Sequence, residues 1–178
     1  MAIDHVKSTF ITNLDASPAV INTAGEGGAA PLQTIEGYAT SVVSSSTGAT
    51  YQLVRVPSNA KIKSITFESA AMGGGTFDLG VFYATDGQGN QPTSLLVGTA
   101  MSGTSNALFA TAIAVTSAST PTDVTNEAGI YTINMRAMPI WQAAGLTSDP
   151  GGSFDIVASV QTGITNAARF GIVVTYTL

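Results

Sequence analysis

From residue 51 to its end, the chain consists of short segments in which apolar and polar residues alternate, separated by turns rich in Gly, Pro, Ser and Asn. The clearest segment is residues 77–83, where Phe77, Leu79, Val81 and Tyr83 occupy every second position. Successive side chains of a β-strand point to opposite faces of its sheet. The alternation therefore predicts a strand with one face in a hydrophobic core, and its repetition restricts the chain to an all-β fold.

The same criterion predicts about eight strands after residue 50 and one short helix between the sixth and the seventh. The predicted strands are residues 51–56, 61–69, 77–83, 95–99, 107–115, 130–135, 153–161 and 169–178. The predicted helix covers residues 139–145, because Pro139 suits the first helical turn and Gly145 suits the position just past the last. The spacing of alternating strands and long helices that is typical of a parallel sheet does not occur.

Short strands at intervals of about ten residues indicate an antiparallel β-sandwich. Eight strands joined by unequal loops favour a jelly roll, in which residues 100–106 and 117–127 are candidates for the loops that cross between the sheets. An immunoglobulin-like sandwich is the alternative fold, and it lacks here the Cys and Trp signature of antibody domains.

Residues 1–50 show no sustained period of 2 or 3.6. We interpret them as an extended N-terminal arm, ordered in part by contacts, that precedes a β-sandwich body of residues 51–178. The alternative is that a first pair of strands in this region belongs to the body. If the arm binds a partner, its apolar pairs are the candidate contacts: Phe10 with Ile11, and Val20 with Ile21.

The chain carries unusually few charges. Charged residues make up 10% of it, 6 Lys or Arg and 11 Asp or Glu, for a net charge of -5, where about a quarter is usual. Such a chain neutralises few phosphates, so nucleic acid is excluded as a partner. A hydrophobic content of 44% argues against disorder, and the absence of any apolar stretch of about 18 residues argues against a membrane partner. A surface built from Thr, Ser, Ala and Gly is instead typical of a protein packed against others.

The residues contain no evident catalytic, cofactor-binding or metal-binding site. The single His, His5, lies in the arm, where no partner positions it, and the chain has no cysteine. Asp78 and Asp155 are candidates for a glycosidase carboxylate pair, but we favour a role in keeping the outer strand faces soluble. Trp141 is either a platform for stacking a sugar or, as we favour, a core residue that caps one end of the sandwich.

Three of the six cations, Arg55, Lys61 and Lys63, fall within nine residues. If they lie on adjacent strands, they form a patch that attracts an acidic partner surface and speeds encounter. The alternative is an ordinary solvated strand face.

Several segments resemble the head decoration, or cement, proteins of tailed bacteriophages, which are small proteins encoded beside the major capsid protein. The resemblance is carried by YQLVRVPSNAKI at 51–62, FDLGVFY at 77–83, WQAAGL at 141–146, DPGG at 149–152 and FDI at 154–156.

The resemblance covers roughly residues 51–178. It implies a homo-oligomer, dimer or trimer, that is made in the host cytoplasm and sits on the capsid exterior of the virion. There it would bridge neighbouring major capsid proteins without any catalytic residue. The alternative function is a carbohydrate- or receptor-binding β-sandwich module of a phage fibre or head appendage.

Overall fold

The computed structural model describes residues 31–84 and 105–178. These residues form eight strands and three short helical segments. The strands are β1 (Gln33–Thr40), β2 (Thr50–Pro57), β3 (Lys61–Ser69), β4 (Thr76–Tyr83), β5 (Ala110–Ala114), β6 (Ser119–Asp123), β7 (Ser153–Thr162) and β8 (Arg169–Thr177). The helical segments are two 3-10 helices, Ser105–Ala107 and Ile133–Ala137, and the α-helix α1, Ile140–Ala143. No helix in these two ranges is long and apolar enough to cross a membrane.

The eight strands form two four-stranded antiparallel sheets. Sheet A has the order β1-β8-β3-β6, and sheet B has the order β2-β7-β4-β5. The first strand thus pairs with the last, the second with the seventh, the third with the sixth and the fourth with the fifth. This nested pairing is that of a jelly roll. The predicted all-β antiparallel sandwich is confirmed, and the strand order differs from that of the immunoglobulin-like alternative.

The core fills the space between the two sheets. Phe77 of β4 and Phe170 of β8 stack across this space, with ring centroids 4.7 Å apart and planes 20° apart. Phe67 and Tyr51 pack around the stacked pair. Phe77, Leu79 and Val81 of β4 are buried, as the sequence predicts, and Tyr83 at the end of the strand is partly buried against the core. The alternating residues of β8, which are Phe170, Ile172, Val174 and Tyr176, are buried as well.

Strand β1 lies inside the segment for which the sequence predicts an arm. It pairs with β8 along its whole length, from Gln33 opposite Tyr176 to Thr40 opposite Arg169. Residues 33–40 therefore belong to the sandwich, as in the alternative interpretation of this region. The sequence predicts the arm for residues 1–50, so the prediction is wrong for residues 33–40; residues 1–30 lie outside the described residues.

Two predicted elements between β5 and α1 are wrong. Residues 130–135 form no strand: Tyr131 is fully buried while Ile133 is 75% exposed, and a 3-10 helix begins at Ile133. The Tyr131 hydroxyl holds this turn, because it lies 2.9 Å from the Ile62 carbonyl and 3.2 Å from that of Met135.

The loop predicted over residues 117–127 contains strand β6, which pairs with β3. Its central Pro121 is compatible with pairing because β6 is an edge strand. Residues 107–115, predicted as one strand, contribute the shorter β5. The strand predicted at residues 95–99 lies outside the described residues.

Helix α1 confirms the helix predicted near residues 139–145. Pro139 precedes it, and Gly145 follows with a φ of 89°, in the left-handed region that glycine tolerates. The Ile140 amide donates to the Ala60 carbonyl at 2.7 Å, which fixes the helix at the end of the sandwich near the β2–β3 turn. Trp141 is partly buried and packs against the core, as the core interpretation of this residue predicts.

Candidate interaction surfaces

The two buried carboxylates of sheet B are structural. Asp78 and Asp155 both lie on positions that alternate with core residues, yet both are buried, so the prediction that they keep an outer face soluble is wrong. Asp78 Oδ1 accepts a hydrogen bond from the Ala112 amide at 2.9 Å. That bond holds β5 in place at Ala112, which has a φ of 51°. Within the described ranges, no group of three His, Cys, Asp or Glu side chains is placed to hold a metal ion.

Asp155 is bound by Arg55, the first of the three predicted partner-binding cations. The two residues lie directly opposite each other on β7 and β2. Arg55 donates from Nε to Oδ1 at 2.7 Å and from Nη2 to Oδ2 at 3.0 Å. This bidentate geometry strengthens the ion pair. The hydrogen bond to Asp155 raises the pKa of Arg55.

The Arg55 side chain remains 43% exposed, whereas that of Asp155 is 3% exposed. Together with Gln52, Leu53 and Val54 they line an open groove of about 410 Å³ beside β2. The outer side of the guanidinium therefore faces a surface that a partner can reach.

Lys61 and Lys63 do not share a sheet with Arg55. They lie on β3 in sheet A, whereas Arg55 lies on β2 in sheet B, so the condition for a single patch of the three cations, adjacent strands, is not met. The structure instead brings the two lysines together with Arg136. Lys63 Nζ donates to the Arg136 carbonyl at 2.8 Å, at the last turn of the 3-10 helix, where a cation is favourable.

Burial lowers the pKa of Lys63, and the nearby charges of Lys61 and Arg136 lower it further. Sequence reasoning missed Arg136 because it is 73 positions from Lys63. The result is a compact basic cluster, Lys61, Lys63 and Arg136, at the end of the sandwich that also holds the β2–β3 turn.

A second groove, on the outer face of sheet A, was not predicted from the sequence. Tyr38 of β1 lies opposite Gly171 of β8, which lies opposite Glu68 of β3. The Arg169 guanidinium carbon is 4.6 Å from the centroid of the Tyr38 ring. These four residues contribute to the lining of an open groove of about 420 Å³.

The floor of this groove depends on a glycine. A Cβ at Gly171 would lie 2.5 Å from both Gly37 O and Tyr38 Cδ1, so the tyrosine ring rests where a side chain would otherwise stand. The Tyr38 hydroxyl donates to Glu36 Oε2 at 3.0 Å, and this bond raises the pKa of Tyr38. Tyr38 is 131 positions from Arg169, so only the β1–β8 pairing shows that the two residues meet.

The remaining predicted partner-binding residues, Phe10, Ile11, Val20 and Ile21, lie outside the described residues. Their role stays a prediction.

The fold of the chain is similar to that of a chain in the solved structure described as the cyanophage Pam1 capsid asymmetric unit. The TM-score is 0.50 and the sequence identity is 16%, and the match covers 92% of this chain and 96% of that chain. At this identity the likeness is one of fold. No protein-family model matches the chain, and no curated protein does.

Proposed function

We propose that the chain is a non-enzymatic structural protein of a tailed-phage virion. It decorates the capsid exterior and cements it by bridging neighbouring major capsid proteins. The observation that carries the proposal is the likeness to a chain of a cyanophage capsid asymmetric unit, which extends over nearly the whole of both chains. The likeness therefore concerns the fold as a whole and not a local part of it.

The polar side chains of the described residues support a structural role. Asp155 is bound by Arg55, Asp78 by the Ala112 amide, and Asp123 by Thr125. Each carboxylate is thus engaged in holding the sandwich together. The low charge of the chain also favours burial of its surface in an assembly. Few long charged side chains are present, and small side chains lose little conformational entropy when a partner covers them.

Cementing requires several modest contacts made at once. A rigid sandwich with an arm that orders on contact can reach more than one capsid subunit, and an oligomer of such units gains affinity through effective concentration. In this proposal the basic cluster and the exposed side of Arg55 face acidic capsid surfaces, where they favour encounter. The arm residues Phe10 and Ile11 supply apolar anchors.

The test uses capsids that lack the chain, prepared from the phage that encodes it. Purified protein is mixed with these capsids, and bound protein is measured by co-sedimentation. We expect saturable binding and a higher temperature of DNA release from filled capsids. Protein that stays in the supernatant at saturating concentration would contradict the proposal.

The arm is tested in the same assay by deleting residues 1–30, a deletion that stops short of β1. A full-length variant with Phe10→Ser and Ile11→Ser is the matched control for chain length. If the arm is an anchor, both variants bind the capsid more weakly, by about tenfold or more. Unchanged binding of both would assign the contact to the sandwich alone.

A second candidate function is carbohydrate or receptor binding. The groove of Tyr38, Arg169 and Glu68 favours it, since an exposed aromatic ring beside charged hydrogen-bonding groups resembles the mixed lining of ligand sites. Trp141, the sequence-based candidate for stacking a sugar, packs against the core. A glycan array probed with the wild type and with Tyr38→Ala tests the candidate, and binding that survives Tyr38→Ala would exclude this groove.

A further inference from the structure

The basic cluster brings positive charges together that repel one another. Lys63 Nζ donates to the Arg136 carbonyl at 2.8 Å, so two cationic residues meet at one turn of the chain. Burial lowers the pKa of Lys63, and the charges of Lys61 and Arg136 add to that effect, as like charges at short range do. An anion bound beside the cluster relieves this repulsion.

The Arg136 side chain has a buried donor without an acceptor. Its Nε is buried and has no hydrogen-bond partner within the described part of the chain, although the residue as a whole is partly exposed. The nearby Asp123 carboxylate is bound by Thr125, whose hydroxyl is the main cause of the lowered pKa of Asp123, and the Arg136 charge is a minor cause. Buried donors are nearly always paired in folded proteins, so an acceptor from a ligand fits this guanidinium.

The acceptor that suits this cluster is a carboxylate. A guanidinium pairs with the two oxygens of a carboxylate in a bidentate geometry, and a neighbouring ammonium adds a further positive charge. Phosphate offers similar oxygens, but the rest of the chain repels an extended polyanion. Outside the cluster lie only half of the 6 Lys or Arg and all 11 of the Asp or Glu. The positive charge is therefore local, and it favours a small group of carboxylates over a nucleic acid.

An exposed aliphatic side chain lies beside the cluster. Ile133 is 75% exposed and begins the 3-10 helix that contains Arg136. Side chains three positions apart eclipse each other in a 3-10 helix, so Ile133 and Arg136 lie on the same side of this turn. A free anion gains nothing from an isoleucine, whereas a protein surface can cover it with an apolar side chain and gain from its burial. The pairing therefore points to a protein as the source of the carboxylate.

We propose that the basic cluster and Ile133 together bind an acidic protein surface, with an Asp or Glu carboxylate against Arg136 and Lys63 and an apolar residue against Ile133. The inference rests on the proposed function only for the identity of the partner, which is then a capsid subunit. In that case this end of the sandwich contributes more to capsid affinity than Arg55 does, because Asp155 already accepts two hydrogen bonds from Arg55.

The first test uses the full chain and a short probe that carries both features of the partner. The probe is an acetylated and amidated Glu-Leu-Glu tripeptide, and the references are the matching Gln-Leu-Gln tripeptide and inorganic phosphate at the same ionic strength. Binding is followed through the backbone amide NMR signals of residues 61–63 and 133–137.

Two variants separate the charged part of the surface from the apolar part. Arg136→Gln removes the guanidinium and keeps the backbone carbonyl that Lys63 binds, and Ile133→Ser removes the aliphatic side chain. Arg169→Gln is the matched control, because it removes the same charge at the start of β8, whereas Lys61 lies opposite Thr177 at the end of that strand. The thermal unfolding midpoint confirms that each variant folds.

We expect saturable binding of the Glu-Leu-Glu tripeptide to the wild type and to Arg169→Gln. Arg136→Gln should bind it about tenfold more weakly, and Ile133→Ser about threefold more weakly. The absence of saturable shifts in the wild type would overturn the inference, as would equal affinities of Arg136→Gln and Arg169→Gln. Phosphate that binds as tightly as the tripeptide, together with unchanged tripeptide binding by Ile133→Ser, would show a general anion site and would overturn it too.

Co-sedimentation of the same variants with capsids separates this inference from the proposed function. A wild type that binds the tripeptide but no capsid would contradict only the proposed function. A wild type that binds capsids, with Arg136→Gln and Ile133→Ser binding as tightly as Arg169→Gln, would contradict only this inference.

Discussion

The guanidinium of Arg55 and the carboxylate of Asp155 face each other across the β2–β7 pair and share two hydrogen bonds, of 2.7 and 3.0 Å. One partner is 43% exposed and the other 3%. The pair therefore has unequal members: Asp155 depends on Arg55 for the compensation of a buried charge, whereas Arg55 retains contact with water. Removing the arginine leaves a buried carboxylate without its charged partner, which is the costly way to break such a pair.

From this asymmetry we predict that Arg55→Met lowers the free energy of unfolding by about 2 kcal/mol, less than the loss for a fully buried pair because Arg55 is partly solvated. Adding Asp155→Leu in the same chain should recover much of that loss, since the buried charge is then gone. Urea unfolding of the two single variants and the double variant measures the coupling. A loss below about 0.5 kcal/mol for Arg55→Met, the range of ordinary surface changes, would show that the pair contributes little.

The stacked core predicts a larger loss in β8. Phe170→Ala and Ile172→Ala each open a cavity between the sheets and should cost about 2–5 kcal/mol. Val173→Ala is the control, because Val173 is only partly buried and alternates with these two residues along the strand. Losses below about 1 kcal/mol in the two core variants would mean that the last strand presents its other face to the core.

Gly37 is required where the edges of the two sheets meet. A Cβ at this position would overlap the backbone carbonyl oxygen of Leu53, so one strand would have to move. We predict that Gly37→Ala costs about 1–3 kcal/mol, the range for overpacking. Gly163→Ala is the matched control, since its Cβ would meet only Ser45 O at 3.4 Å, and equal effects of the two substitutions in thermal unfolding would argue against a close β1–β2 contact.

The Asp123 carboxylate predicts a pH dependence of stability. The Thr125 hydroxyl and amide both donate to Asp123 Oδ1, and the hydroxyl bond is the main cause of a lowered pKa at Asp123. A carboxyl whose pKa is lower in the folded state contributes stability above its ordinary pKa of about 3.9, and loses it as the pH falls through the lower folded value. The stability advantage of the wild type over Asp123→Asn should therefore be largest near neutral pH and shrink in acid.

Denaturant unfolding of both proteins from about pH 7 to pH 2.5 measures this advantage across the window. Thr125→Val, which removes the hydroxyl donor and keeps the amide, should show an intermediate pH dependence. An advantage that is constant over the whole range would contradict the assigned role of Asp123.

The sequence predicts the strands whose inward residues are large. Phe77, Leu79 and Val81 make β4 unmistakable, because three large apolar side chains at every second position have no other simple explanation. Strand β1 escapes this criterion because the alternate positions after Ile35 hold Gly37 and Ala39, and Gly37 is small in order to pass close to Leu53. Period-2 patterning therefore identifies strands with large inward residues and misses a strand whose inward face is small.

Other failures have different physical causes. Strand β6 is an edge strand of Ser, Thr, Pro and Asp, and its pairing with β3 depends on backbone bonds rather than on apolar side chains. Ile133 alternates with Tyr131 as in a strand, but the Tyr131 hydroxyl donates to the Ile62 carbonyl and a 3-10 helix begins at Ile133. Such tertiary hydrogen bonds override the local sequence pattern, and they cannot be predicted from the alternation of neighbouring residues.

The candidate surfaces depend on pairing between distant residues, which explains why the sequence revealed only parts of them. Arg55 and Asp155 are 100 positions apart, and their contact follows from the β2–β7 register. Two of the three members of the basic cluster, Lys61 and Lys63, are predicted from the sequence, whereas the third, Arg136, lies 73 positions from Lys63. The low charge of the chain, by contrast, is visible from its composition alone.

In the proposed function, this jelly roll lies on the outside of the capsid and bridges neighbouring major capsid proteins. A cryo-electron microscopy map of capsids from the encoding phage, compared with a map of capsids lacking this chain, tests it most directly. We predict difference density of the size of this sandwich on the outer surface, in contact with at least two adjacent capsid subunits. Identical capsid maps, or density for the chain on a tail or fibre alone, would contradict the account.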